Sequence, residues 1–177
     1  MPSRRLITIR HAKAAPGADD RRRALTLRGQ RDAAAVGEWL AAGGLSPDRV
    51  VVSPSTRTRQ TWELAAEALS TAALGAPAAA EVDDRIYDNT TDELFAVAAD
   101  TPVDAAIVIL VGHSPGVHEL AVLLDAGSPL DASAEQQRRR MVQEYPTAGV
   151  AVFGLTCDWA DVGPGCAALE SFAVARG

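Results

Sequence analysis

Lysine is almost missing from this chain of 177 residues: of its 17 basic side chains only Lys13 is not an arginine. A genome rich in alanine and arginine codons accounts for the bias, so position and not residue type must decide which arginines bind anything. Cysteine is scarce as well. Cys157 and Cys166 stand late in the chain without metal-ligand neighbours, which excludes a disulfide-stapled miniprotein and reads as a reduced pair, with a bridge between them as the alternative that the spacing leaves open. Long apolar runs are absent; nothing approaches the roughly 20 residues of a bilayer span. The opening residues 1–5 are basic, but the apolar stretch behind them covers only residues 6–9, too short for the core of an export signal. A cytoplasmic protein without membrane association is expected. Excess positive charge is lacking too. A net charge of −6 and a pI near 5.0 speak against nucleic acid as a partner.

What remains is the composition of an ordinary globular domain, 47% hydrophobic and 23% charged. A chain of this length buries about two-thirds of its unfolded surface around one core, so residues 1–177 are read as a single domain. Residues 6–9 form a β-branched strand. Thr26 caps a helix over 27–41, stopped by Gly43 and Gly44. Residues 50–52 are a second buried strand, and Ser55 or Thr56 caps a helix running to about residue 70. Residues 74–80 are a connector, 81–82 a short strand, and 91–99 a helix. The six apolar residues 106–111 suit the middle of a sheet covered on both faces, and Pro115 opens the next helix, to about residue 124. Residues 126–146 read as polar loop with one helix around 134–143, and 149–155 and 167–173 close the chain as strands. Strands alternating with helices imply an α/β fold, a three-layer α/β/α sandwich with a mostly parallel sheet and an antiparallel edge. Trp39 and Trp62 fall on helical faces and read as core. His118 reads as a surface or core-edge ring, and the run Arg138, Arg139, Arg140 as a solvated helix face.

Ligand sites of such sheets form beyond the carboxyl ends of the strands. After the first strand stand Arg10, His11 and Lys13; after the second, Ser53, Ser55 and Arg57; after the long apolar strand, Gly112, His113 and Ser114. Two of the three histidines and two arginines thus collect at strand ends. Each alone has a bland reading as a turn or surface residue. Together they make a cationic pocket in an acidic protein, suited to a small dianion such as phosphate. Arg57 also sits at the helix end that disfavours a cation, which makes an anionic partner for it more plausible.

The residues Leu6-Ile7-Thr8-Ile9-Arg10-His11-Ala12-Lys13-Ala14 resemble the Arg-His signature of the histidine phosphatase superfamily, with its phosphoglycerate-mutase-like fold. Leu25-Thr26-Leu27-Arg28-Gly29 resembles the start of its first helix. The segment from Ser53-Pro54 through Arg57 to Thr61 resembles its second arginine block, and Val111-Gly112-His113-Ser114-Pro115 its second histidine block. The Arg-His-Ala-Lys form and Tyr145-Pro146-Thr147-Ala148-Gly149 are similar to the SixA-type phosphohistidine phosphatases. The resemblance implies a metal-independent hydrolase without cofactor, in which His11 attacks phosphorus and becomes phosphohistidine. It further implies that Arg10, Arg57 and His113 donate to the phosphoryl oxygens. Lys13 at the pocket rim, Arg23 and Ser53 are expected to bind substrate. Ester-cleaving relatives carry a carboxylic acid for the leaving alkoxide. Asp88 is the candidate here, with Asp83, Asp84 and Asp92 behind it, although a turn role suits Asp88 as well. An imidazole leaving group needs such an acid less, since its conjugate acid has a pKa of about 6.5. The implied substrate is therefore phosphohistidine on a protein. A small-molecule phosphomonoesterase using Asp88 and a non-catalytic phosphoprotein-binding module are the alternatives. The oligomeric state stays open.

Overall fold

The computed structural model describes residues 4–72, 76–127 and 131–177. Six strands form one sheet: β1 (Arg5–Arg10), β2 (Arg49–Val52), β3 (Ala80–Val82), β4 (Ile107–Gly112), β5 (Gly149–Leu155) and β6 (Ala167–Val174). Their spatial order is β3-β2-β4-β1-β5-β6. The first four run parallel, and β5 and β6 add antiparallel on the far side of β1. Helices α1 (Leu27–Ala42) and α2 (Thr56–Thr71) cover one face; α3 (Thr91–Ala99), α4 (Gly116–Leu124) and α5 (Ala132–Gln143) cover the other. Among the described residues no helix is long and apolar enough to cross a membrane.

The unbroken apolar runs of the strands follow from this layering, because successive side chains point to opposite faces. Ile109 and Val111 of β4 join the core under α1 and α2, while Val108 and Leu110 join the core under α3 to α5. Val50 and Val52 divide from Val51 in the same way. Thr26 caps α1 by accepting from the Gly29 amide, and Thr90 and Glu93 close a capping box on α3.

Several sequence expectations change. Pro115 is the N-cap residue of α4 and not its first helical residue, and the peptide bond before it is cis. The helix expected around 134–143 is present as α5 and starts two residues earlier, at Ala132, capped by the Asp131 carboxylate. Arg138 does not belong to a solvated face: its guanidinium is 13% exposed and lies 2.6 Å from Asp125, which is 7% exposed. Trp62 is buried as expected, whereas Trp39 is only half-buried against the core. Cys157 and Cys166 are both free. Residues 1–3 and the first part of the expected connector fall outside the described residues.

The strand order is what positions the site. β4 lies between β2 and β1, with Arg10 opposite Gly112 and Val52 opposite Val111. The three chain segments leaving these strands therefore emerge side by side along one edge of the sheet.

Candidate active site

His11, Arg57 and His113 meet at that edge. The His11 and His113 ring centroids are 5.2 Å apart. His11 Nδ1 lies 2.7 Å from the Ala12 carbonyl, an acceptor, so Nδ1 carries the proton and Nε2 keeps its lone pair. That lone pair accepts from Arg57 Nε at 3.3 Å. Burial, aided by the charges of Arg57, Arg10 and Arg23, pushes the His11 pKa down to about 4. At neutral pH the ring is uncharged, with an available nitrogen toward the cleft's arginine.

His113 is buried between two partners. Its Nδ1 accepts from Arg57 Nη2 at 3.2 Å, and Nε2 lies 2.7 Å from the Ser53 hydroxyl. Because a guanidinium only donates, His113 Nε2 donates to Ser53 here. Burial, with His11 and Arg57 adding to it, pushes the pKa of His113 down to about 3. Ser53 itself is fully buried. The Ser53 hydroxyl, expected to bind substrate, meets the His113 ring, and Ser53 is not among the residues lining the cleft.

Local structure explains the other members of the second arginine block. Thr61 Oγ1 donates to the Arg57 carbonyl at 2.6 Å and accepts from the Ala12 amide at 3.0 Å. It thereby clamps the turn after β1 to the first turn of α2. Gln60 accepts from the Leu25 amide. The Ala148 amide is shared between the carbonyls of Arg10 and His11. Arg10 donates through Nη1 to the Tyr145 carbonyl at 2.7 Å, and burial lowers its pKa. Arg10 Nε is buried and, among the described residues, without a partner, a donor that an oxyanion would satisfy.

The remaining expected residues are placed less simply. The Lys13 side chain is exposed, and its backbone carbonyl anchors Thr26. Arg23 donates to the Ala15 carbonyl and pairs with Asp20 at 2.9 Å. Asp88 is exposed on the wall of a cleft of about 470 Å³ that it shares with Asp20, Arg57, Tyr87, Asn89 and His113. Asp83 and Asp84 are engaged by Arg85 and Arg21, and Asp92 is exposed at the start of α3. A larger groove of about 530 Å³ between α1 and α2 is lined by Ala34, Leu64 and Ala68 with two glutamates, and holds neither a histidine nor an arginine. The smaller cleft is the one that holds Arg57 and His113.

Two residues of this cleft were not singled out in the sequence. Asp20 Oδ2 lies 2.9 Å from Arg57 Nη2 and accepts from the Tyr87 hydroxyl at 2.7 Å. Hydrogen bonds from Tyr87 and Arg57 hold the Asp20 carboxyl well below the usual carboxylate range. Tyr87 stands edge-on to His113, centroids 5.5 Å apart, with the Arg21 guanidinium 4.4 Å over its ring. Arg57 at its unfavourable helix end did signal a nearby anion; part of that anion is resident.

The family model of the histidine phosphatase superfamily (branch 1) matches residues 6–104. Rv1276c of Mycobacterium tuberculosis is 35% identical over 170 residues, spanning 95% of this chain and 100% of its own. Among solved structures, a Nakamurella multipartitia protein assigned as a phosphohistidine phosphatase SixA is 30% identical with a TM-score of 0.77, covering 99% of this chain and 98% of its own. The protein histidine phosphatase SixA complexed with tungstate shares the fold, with a TM-score of 0.73 at 24% identity and 96% of each chain covered.

Proposed function

This chain belongs to the histidine phosphatase superfamily and is a phosphatase, and from that premise we propose that it hydrolyses phosphohistidine on a protein through a covalent phosphohistidine at His11. The observation that carries this reading is the state of His11: neutral, its Nδ1 proton held by Ala12, its Nε2 lone pair beside Arg57. A neutral imidazole whose second nitrogen is fixed is an activated, oriented nucleophile.

In the first half-reaction Nε2 of His11 attacks phosphorus as the bond to the leaving group breaks. In this reading Arg57, Arg10 and His113 donate to the equatorial oxygens, whose charge must be stabilised during transfer; the closeness of Arg57 to both histidines and the unpaired Arg10 Nε support it. For His113 to donate, its proton moves to Nδ1 and Nε2 accepts from Ser53. A hydroxyl both donates and accepts, so Ser53 serves either tautomer. Water then attacks phosphorus, the bond from phosphorus to Nε2 breaks with its electron pair returning to the ring, and phosphate leaves with His11 restored as neutral imidazole.

Hydrolysis of a phosphohistidine-bearing protein by wild type and by His11→Ala tests the reading. Loss of roughly 10³-fold or more in rate, with disappearance of a phosphate adduct in the intact mass, is expected. Equal rates would remove His11 from the chemistry. The position of Asp88 on the cleft wall favours one second reading, an alkyl phosphate esterase using Asp88 as acid. Loss of alkyl phosphate cleavage in Asp88→Asn, with phosphohistidine cleavage retained, would support it.

A further inference from the structure

We propose that Asp20 is the specificity-determining residue of the cleft, a fixed anion that selects phosphorylated groups whose leaving side is cationic. The proposal rests on the reading above only in taking the cleft around His11 as the phosphoryl site. The Asp20 carboxylate comes from a short turn at Asp20–Arg22 and is gripped from three directions. Arg57 and Tyr87 bind Oδ2, and Arg23 binds Oδ1 at 2.9 Å. Three hydrogen bonds occupy three of the about four acceptor positions of a carboxylate. Its side chain is still 50% exposed on the cleft lining. One acceptor position thus remains for a ligand.

A permanent carboxylate in this position works against phosphate. It occupies one donor of the arginine that faces both histidines, and it repels any dianion placed there. A site built only to hold phosphate would leave that donor free. The arrangement becomes favourable when the substrate brings a positive charge on the far side of phosphorus. A phosphorylated imidazole protonated on its distal nitrogen does so; a sugar phosphate does not, and a phosphorylated carboxylic acid gains a second repulsion as its leaving carboxylate forms. The chemistry follows the same preference. As His11 Nε2 forms its bond to phosphorus, the old P–N bond breaks and its electron pair returns to the ring. The ring then departs as neutral imidazole, its distal proton still in place. No proton need reach the departing nitrogen, and the carboxylate stabilises the reactive, charged form of the substrate.

Asp20→Asn keeps the size and an accepting oxygen while removing the charge. Wild type and this variant are compared on a phosphohistidine protein and on 4-nitrophenyl phosphate. The ratio of kcat/KM for the two should fall about tenfold or more in Asp20→Asn, with the aryl ester unchanged or improved. Tyr87→Phe, which removes one hydrogen bond and no charge, should keep the ratio within about twofold. A parallel fall on both substrates in Asp20→Asn would make the residue a structural prop for Arg57 and overturn the proposal. So would an unchanged ratio, or an equal collapse in Tyr87→Phe. Calorimetric binding of phosphoramidate, whose nitrogen is cationic, against inorganic phosphate separates this inference from the reaction itself. Performed in a His11→Ala background, the preference for phosphoramidate should disappear with Asp20→Asn even if wild type turns over neither substrate. Its persistence would sink the proposal.

Discussion

A guanidinium in the first turn of a helix faces the positive end of the macrodipole, a placement that costs about 0.3–1 kcal/mol. Arg57 occupies such a position in α2 with a side chain only 7% exposed. It is tolerated because each arm of the fork finds an acceptor: Nε donates to His11 Nε2, Nη1 to the Asp20 carbonyl, and Nη2 to the Asp20 carboxylate and His113 Nδ1. The Asp20 carboxylate offsets the charge of Arg57, so the remaining pull on an anion comes from Arg10 and Arg23, whose charges also act on His11. His113 depends in turn on one hydroxyl. Ser53→Ala leaves Nε2 of that buried ring without a partner in either tautomer, and an orphaned buried group costs about 1–3 kcal/mol. We expect a fall in kcat/KM of about 10- to 100-fold, by analogy with groups that orient a ligating or reacting imidazole. Far-ultraviolet circular dichroism should be unchanged. Full activity in Ser53→Ala would mean that His113 is held by packing alone.

Between elements, the site depends on clamps that join segments far apart in the chain. Thr61 links the turn after β1 to α2 through two buried hydrogen bonds. Thr61→Val keeps the shape but leaves the Ala12 amide unpaired, so a loss of about 1–3 kcal/mol in urea unfolding is expected, together with weaker phosphate binding, because Ala12 fixes the His11 ring. Gly29 serves α1 similarly: a Cβ there would run into the Lys13 carbonyl, whose partner is the capping Thr26. Gly29→Ala should destabilise by about 1–3 kcal/mol, as overpacking does, read as a lowered thermal midpoint; an unchanged midpoint would show that the loop yields freely. Such clamps mark how far the sequence was legible. Strands announced themselves through short apolar runs, and His11, Arg57 and His113, which the fold brings together, through their place just after those runs. The lateral order β2-β4-β1 is invisible in any local pattern, since strand neighbours are chosen by long-range packing. Asp20 was hidden for a related reason. Within Asp19-Asp20-Arg21-Arg22-Arg23 it reads as one charge in a solvated loop, and only the fold brings it to Arg57 and Tyr87. Arg138 departs from the solvated face expected of its arginine run because such a run says nothing about a carboxylate on a distant turn, here Asp125.

On the scale of the whole molecule, a protein of net charge −6 keeps two uncharged imidazoles in its cationic cleft, and this ties folding stability to pH. The pKa of His11 in the folded protein is about 4 and that of His113 about 3, whereas both rings in the unfolded chain titrate near 6.5. Between these values the unfolded chain binds more protons than the folded one. Stability must then rise with pH across the interval, and must fall as pH drops from about 6.5 toward 4. Each pH unit of gap is worth about 1.4 kcal/mol per ring, so the two rings together cost the acidified fold on the order of a few kcal/mol. Depressed carboxyls such as Asp20 and Asp83 contribute in the same direction, but only below about pH 4, where unfolded aspartates begin to protonate. The histidine window is therefore separate. Urea unfolding at pH 7.5, 6 and 5 should show decreasing stability, with about half the decrease removed in His11→Asn. Added phosphate should flatten the profile further, because a bound dianion raises the pKa of both rings and so narrows the gap that drives the loss. A profile already flat between pH 7.5 and 5 would mean that the rings titrate as they do in the unfolded chain, and the neutral nucleophile would lose its physical basis.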